Sequence, residues 1–97
     1  MANVNWSLGA VEDLDQIHGY IAQHSQPAAD RLVSRVFASA ARLEDFPLSG
    51  RIVPEFNVVD LREIIVGRFR IIYRLQSDDV YIVAVRHGAR RLEGLDL

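Results

Sequence analysis

The fold is decided by residues 61–92, LREIIVGRFRIIYRLQSDDVYIVAVRHGARRL. Together with the three residues before it, this stretch contains three apolar runs rich in β-branched and aromatic side chains, at residues 58–66, 68–76 and 80–87. Gly67 separates the first two runs, and residues 77–79 separate the last two. Because connections this short join antiparallel neighbours, the stretch predicts an antiparallel three-stranded meander.

The middle run indicates which side of the meander is buried. Successive side chains of a strand point to opposite faces, and here one set is apolar while the other is dominated by arginine. The apolar set is Phe69, Ile71, Tyr73 and Leu75, and the other set is Arg68, Arg70, Ile72 and Arg74. This alternation is typical of an antiparallel sheet with one covered face. We expect Tyr73 in the buried layer, with its hydroxyl bonded to a neighbouring backbone group.

The beginning of the chain predicts a short strand and a first helix. Residues 3–6 alternate polar and apolar side chains, and Ser7 then suits the N-cap of a helix. The helix follows from one apolar stripe at three- and four-residue spacing. The stripe consists of Leu8, Val11, Leu14, Ile17 and Ile21.

A second helix completes the layer that covers the sheet. Residues 23–26 interrupt the helical pattern, Pro27 suits the first turn of the next helix, and Phe46-Pro47 is its predicted end. Two helices joined by a short polar loop form an antiparallel hairpin. The predicted fold class is therefore α+β, with an N-terminal strand, a helical hairpin and then the antiparallel three-stranded meander.

Composition limits the classes of protein to which the chain can belong. Its 97 residues, 49% hydrophobic and 25% charged, predict a single folded domain over residues 1–97. There is no cysteine for disulfides or thiolate metal sites, and no apolar run approaches the roughly 20 residues of a membrane helix. The N-terminus lacks a signal-peptide pattern, which favours the cytoplasm. No metal site, cofactor or membrane partner is predicted.

Positive charge is concentrated on the predicted sheet. Residues 61–92 contain seven arginines and three acidic residues, although the whole chain has a net charge of −2. Guanidinium groups on a rigid sheet can hold carboxylates or phosphates, so one interpretation is a docking surface for an acidic macromolecule. The other is a set of cross-strand ion pairs on a solvated face, formed by Arg62, Glu63, Arg68, Arg70 and Arg74. The sequence leaves both interpretations open.

Six short motifs occur in a fixed order along the chain. They are Trp6-Ser7, Ala10-x-x-Asp13-Leu14-x-x-Ile17-x-x-Tyr20-Ile21, Pro47-x-x-Gly50-Arg51-x-Val53-Pro54-Glu55, Leu61-Arg62-Glu63, Arg70-Ile71-Ile72-Tyr73-Arg74 and Val85-Arg86-His87-Gly88-x-Arg90. In this order and spacing, the chain resembles the RelE/ParE superfamily of bacterial type II toxins over nearly its whole length. The third and last motifs look more like ParE than like the ribosome-dependent nucleases.

The resemblance implies a protein that works by binding. ParE-like toxins are known for poisoning DNA gyrase, and an antitoxin encoded beside them holds them inactive. The candidates for contact with the target are Arg86, His87, Arg90 and Arg91. A ParD-like or similar antitoxin is expected to fold an acidic, partly disordered segment over the hairpin and sheet. The candidates for contact with that segment are Arg62, Arg70 and Arg74.

The alternative is a RelE-like endonuclease that cuts mRNA in the ribosome. Attack by the RNA 2′-hydroxyl needs a proton acceptor, cations beside the charged phosphorane and an acid for the leaving oxygen. The candidate catalytic residues are Arg62, Arg70 and Arg86 for phosphate charge and His87 for proton transfer. The absence of lysine, the Gly88 after His87 and a pI of about 5.8 depart from the nucleases and favour gyrase. A non-toxic module that only binds an antitoxin is a third possibility.

Overall fold

The structure, a computed structural model, describes residues 1–89 and Leu92. A short strand and two helices come first, and the remaining strands follow. In chain order the elements are β1 (Val4–Trp6), α1 (Leu8–Ala22), α2 (Gln26–Ala41), a 3₁₀ turn (Arg42–Glu44), β2 (Arg51–Ile52), β3 (Leu61–Val66), β4 (Phe69–Gln76) and β5 (Asp79–His87). The strands form one sheet in the order β1-β5-β4-β3-β2.

The predicted meander is confirmed as β3, β4 and β5, and the α+β fold class with it. Each pairs with the next in antiparallel register, with Ile64 opposite Ile71 and Ile71 opposite Val85. The sheet is larger than the meander because two strands extend its edges. The two-residue β2 pairs with β3 in antiparallel fashion, and β1 pairs with β5 in parallel, with Val4 opposite Val80.

Both helices begin where the sequence predicts. The Ser7 hydroxyl accepts a hydrogen bond from the backbone N–H of Ala10 at 3.0 Å, and Ser25 accepts one from Ala28 at 3.2 Å. Each serine thus satisfies one of the backbone donors that the first helical turn leaves unpaired. Pro27 lies in the first turn of α2, where its missing N–H costs no hydrogen bond.

Two predicted boundaries are wrong. The strand predicted for residues 58–66 begins at Leu61, because Asn57 has a φ of 50° and the Leu61 N–H donates to the Val58 carbonyl at 3.0 Å, closing a turn. The helix predicted to reach Phe46 ends at Ala41 and tightens into the 3₁₀ turn. A 3₁₀ turn often closes the C-terminal end of an α-helix.

The main core lies between the helical hairpin and one face of the sheet. Helix residues such as Leu14 and Val36 pack there against Ile71, Tyr73 and Ile82 of β4 and β5. These three strand residues are fully buried. The face predicted to be covered is therefore the covered one. Trp6 is half-buried at the edge of this core, and its ring centre lies 5.0 Å from that of Phe37 on α2.

The last part of β5 has no strand beside it on the β1 side among residues 1–89 and Leu92. β1 pairs only with Val80–Ile82 of β5, and β5 continues to His87. Helix α1 lies beside this part of β5, where the Asp13 carboxylate accepts a hydrogen bond from the Val85 N–H at 3.0 Å. This arrangement places the end of β5 beside α1.

Candidate functional site

An ion-pair network lies on the sheet face that is turned away from the helices. Glu63 on β3 and Arg70 on β4 are 1% and 5% exposed. The Arg70 Nε donates to Glu63 at 2.6 Å, and its two terminal nitrogens donate to the two Glu55 oxygens at 2.6 and 2.8 Å. Arg51 on β2 donates to the other Glu63 oxygen at 2.5 Å. The network links β2, β3, β4 and the loop that carries Glu55.

The pKa values reflect this pairing. The bidentate hydrogen bonds from Arg70 lower the pKa of Glu55 from 4.5 to about 2. The same bonds, with those to Glu63, raise the pKa of Arg70. Of the two interpretations that the sequence left open, the ion-pair interpretation describes Arg70, because two carboxylates already neutralise it. The expectation that these ion pairs lie on a solvated face is wrong for Glu63 and Arg70, because both are buried. The predicted contact of Arg70 with an antitoxin stays a prediction, and such a partner would have to displace Glu55.

A second polar cluster holds the connection from the helices to the sheet. The buried Tyr73 hydroxyl donates to the Pro47 carbonyl at 2.8 Å and accepts from the Gly50 N–H at 3.0 Å, as predicted for this side chain. Burial raises the pKa of Tyr73. Arg62 donates to the carbonyls of Gly50 at 3.0 Å, Val59 at 3.0 Å and Leu48 at 3.3 Å. These bonds fix two loops to the sheet.

The three arginines predicted to bind an antitoxin do not share one exposed cluster. Opposite residues of an antiparallel pair lie on the same face, so Arg62, opposite Tyr73, is on the side of the helices. Arg74, opposite Leu61, is on the other face, and its guanidinium lies 5.7 Å from the centre of the Tyr81 ring. Arg62 therefore lies on the opposite face of the sheet from Arg70 and Arg74.

The sheet face turned away from the helices also carries a second apolar cluster. Leu61 on β3, Ile72 on β4 and Ala84 on β5 form it, with Val53 from the loop after β2. Leu92 packs onto these side chains and is only 3% exposed. Leu92 thus shields this apolar cluster from solvent.

Two of the four residues predicted to contact the target, Arg86 and His87, lie at the end of the sheet where β4 begins and β5 ends. Arg86 and His87 line a cleft of about 730 Å³ between α1 and the start of β4. Arg86 donates to the Asp13 carboxylate on α1. Arg68, in the turn before β4, joins them and is exposed. The other lining residues include Gln16, Ile17, Tyr20, Ile21, Phe69 and Val85.

His87 is oriented by two contacts. Its ring lies edge-on to Phe69, with ring centres 5.7 Å apart. The backbone N–H of Ala89 donates to His87 Nδ1 at 3.2 Å. Because Nδ1 must offer its lone pair to this bond, the neutral ring carries its proton on Nε2. His87 is exposed, and its Nε2–H is therefore the donor left for a ligand.

The sequence did not identify all the residues of this cleft. Asp13 was noted only as part of a helix motif, and its contacts with β5 cross more than 70 positions of sequence. Arg68 was assigned to the arginine set of β4, whereas it lies in the turn before that strand. The predicted target contacts Arg90 and Arg91 lie outside the described residues.

Two absences can be stated for the described part of the chain. Within residues 1–89 and Leu92, no three histidine, aspartate or glutamate side chains gather as ligands for a metal ion. No helix in the same part is both long enough and apolar enough to span a membrane.

Comparison with known proteins assigns the chain to a family. The family model described as the ParE toxin of the type II toxin-antitoxin system parDE matches residues 4–92. Toxin RelE2 of Caulobacter vibrioides is 37% identical over 91 residues, which cover 93% of this chain and 99% of that toxin.

Solved structures have the same fold. A chain of the chromosomal ParDE TA system from P. aeruginosa superposes with a TM-score of 0.73 at 20% identity, over 90% of this chain and 96% of that one. A chain of the RelBE2 toxin-antitoxin complex from Mycobacterium tuberculosis has a TM-score of 0.56 at 20% identity, over 89% and 96%. With the family match over residues 4–92, the chain belongs to the ParE toxin family of type II toxin-antitoxin systems.

Proposed function

We propose that this toxin inhibits DNA gyrase by binding it in the cytoplasm, and that a cognate ParD-like antitoxin neutralises it. The proposal rests on one observation, namely that two of the sheet arginines already have partners within the fold. Glu55 and Glu63 neutralise Arg70, and Arg62 is bound to three backbone carbonyls. Phosphate cleavage needs cations that are ready to stabilise new negative charge, whereas these cations already stabilise the fold.

A gyrase assay with purified proteins tests the target. The toxin is expected to inhibit supercoiling and to accumulate cleaved DNA, and added antitoxin should prevent both effects. His87→Glu should weaken the inhibition at least tenfold, because it places a negative charge among the cleft arginines. Gln76→Glu adds a negative charge at an exposed position at the other end of β4, outside the cleft, and serves as the control. Full gyrase activity at saturating wild-type toxin would refute the proposal.

The helical hairpin supports binding of the antitoxin. Val11 and Phe37 are 46% and 48% exposed, and with Leu14 and Val33 they line a groove between α1 and α2. An amphipathic segment of the antitoxin can bury these side chains by placing its apolar face in the groove.

Paired substitutions test this interface. Val11→Asp should weaken antitoxin binding at least tenfold in a titration by calorimetry, because it buries a charge against apolar side chains. Val59→Asp is the matched control, since Val59 is 61% exposed in the loop before β3. Equal affinities of the two variants would place the antitoxin elsewhere.

The endonuclease remains a second candidate because Arg68, Arg86 and His87 meet in one cleft. An imidazole beside two guanidinium groups has the elements of acid-base cleavage of RNA. Primer extension on translated mRNA after induction tests this candidate. Discrete cuts that disappear in His87→Gln would support the nuclease, and intact mRNA together with an SOS response would support gyrase inhibition.

A further inference from the structure

The two ends of the sheet carry opposite charge. Where β4 ends, Glu44, Asp45, Asp60 and Asp78 line a cleft of about 980 Å³. Where β4 begins, the cleft described above, called here the cationic cleft, is lined by Arg68, Arg86 and His87. The eight residues of β4 separate the two ends by about 25 Å. Although the net charge of the chain is low, its positive and negative side chains are therefore concentrated at opposite ends of the sheet.

The cationic cleft offers hydrogen-bond donors and few acceptors. Arg68 is exposed and forms no ion pair or side-chain hydrogen bond with residues 1–89 or Leu92. The amide of Gln16, the Tyr20 hydroxyl and the His87 Nε2–H are further donors. Asp13 is the one carboxylate among the lining residues described, and Arg86 and the Val85 N–H occupy it. A ligand that satisfies this cleft must be rich in acceptors and negatively charged.

Aromatic surface distinguishes between the possible anions. Tyr20 is 69% exposed at the rim of the cleft, and Phe69 lines its floor beside His87. An acidic peptide would use the guanidinium groups and leave these rings without a flat partner. A nucleic-acid strand supplies phosphates for the cations and bases that stack on exposed aromatic rings. The volume of about 730 Å³ accommodates a nucleotide unit.

We propose that the cationic cleft binds the phosphate backbone and an unpaired base of single-stranded DNA directly. Arg68 and Arg86 lie beside the phosphate, His87 donates from Nε2, and Tyr20 stacks on the base. The inference rests on the proposed function only in naming DNA opened by gyrase as the source of the strand. The acidic cleft at the other end of the sheet repels the phosphate backbone of DNA. The opposite charges of the two ends therefore orient the protein on the strand.

Fluorescence anisotropy of the full chain with a labelled twelve-residue oligothymidine tests the proposal. Arg68→Ala should weaken binding at least fivefold and lower the slope of log affinity against log salt by about 0.7, as expected for one lost phosphate contact with a single strand. Tyr20→Leu should weaken binding about tenfold through lost stacking. Arg42→Ala removes an exposed arginine near the acidic end and should leave the affinity within twofold.

Three results would overturn the proposal. They are no binding by the wild-type chain, equal losses for Arg68→Ala and Arg42→Ala, and displacement of the strand by a polyglutamate peptide of equal length at equal or lower concentration. The last result would assign the cleft to an acidic polypeptide. The gyrase assay separates the two hypotheses. A wild-type chain that binds the strand without affecting gyrase refutes the proposed target alone, whereas a chain that inhibits gyrase without binding the strand refutes this inference alone.

Discussion

Gly50 shows how a single residue can be required by its surroundings. A Cβ atom added there would lie 2.5 Å from the Tyr73 hydroxyl oxygen and 2.7 Å from the Glu63 carbonyl oxygen. The motif Pro47-x-x-Gly50-Arg51 is thus explained by packing. The loop must pass directly over Tyr73 so that its hydroxyl can reach both Pro47 and Gly50.

We therefore expect Gly50→Ala to lower the free energy of unfolding by about 2 kcal/mol, because the added methyl group forces Tyr73 or the sheet to move. Gly19→Ala is the matched control, since nothing lies within 4 Å of its added Cβ. In the interior of α1, that change should stabilise the protein by about 0.5–1 kcal/mol. Urea unfolding measures both effects, and a neutral Gly50→Ala would contradict the packing argument.

Glu55 makes stability depend on pH at the scale of one residue. Its pKa is about 2 in the folded chain against an ordinary value of 4.5, so its contribution is complete above pH 4.5 and is lost as pH falls towards 2. Its side chain is 35% exposed, so solvent screening limits the contribution to about 1 kcal/mol.

The comparison of wild type with Glu55→Gln isolates this contribution. The wild type should be more stable by about 1 kcal/mol at pH 6, and the difference should shrink between pH 4.5 and 2. Urea unfolding at a series of pH values measures the difference in unfolding free energy between the two proteins. Groups that titrate alike in both proteins do not contribute to this difference. The same gap at pH 6 and pH 2 would show that Glu55 does not act through its charge.

At the scale of elements, the periodicity of apolar residues predicted the presence of the long helices and strands correctly. The hydrophobic stripes located α1 and α2, Ser7 marked the start of α1 and Pro27 the first turn of α2, and the alternation in β4 identified the covered face. The strand β2 was missed because two residues carry no measurable period. The parallel pairing of β1 was missed because it depends on β5, and a local pattern contains no information about a partner 76 positions away.

The contact between α1 and β5 could not be predicted from the sequence either, and its contribution to stability can be tested. Asp13 accepts from the Val85 N–H and from Arg86. Asp13→Ala should cost about 2 kcal/mol of unfolding free energy because both donors lose their acceptor, and Asp13→Asn should cost less because its amide oxygen still accepts from Val85. Hydrogen exchange at the Val85 amide should be at least tenfold faster in Asp13→Ala. Unchanged exchange would show that Asp13 does not hold this edge.

At the scale of the whole molecule, the sequence predicted the charge of the sheet but not its distribution. Seven arginines in residues 61–92 indicated a cationic surface. Which of them form ion pairs within the chain was decided by acids elsewhere, since Glu55 lies 15 positions before Arg70 and Asp13 lies 73 positions before Arg86. The candidate site was therefore predicted as a set of residue types, and its location followed only from the tertiary contacts.

We expect the second apolar cluster to contribute to the stability of the whole sheet. Leu92→Ala should lower the free energy of unfolding by about 2 kcal/mol, because it removes a side chain that is 97% buried against Val53, Leu61 and Ile72. Leu8→Ala is the control, since Leu8 is 74% exposed and its truncation should change stability by less than about 0.5 kcal/mol. Thermal unfolding of the two variants measures the difference. Equal melting temperatures would mean that Leu92 does not seal this face.

The parallel pairing of β1 with β5 also has a consequence for synthesis. Val4 on β1 pairs with Val80 on β5, 76 positions later, so this edge of the sheet stays open until β5 has been translated. Until then, apolar side chains of the nascent protein lack the surface on which they finally pack. A chain that is released before β5 is complete therefore cannot form the native sheet, because β5 lies between β1 and β4.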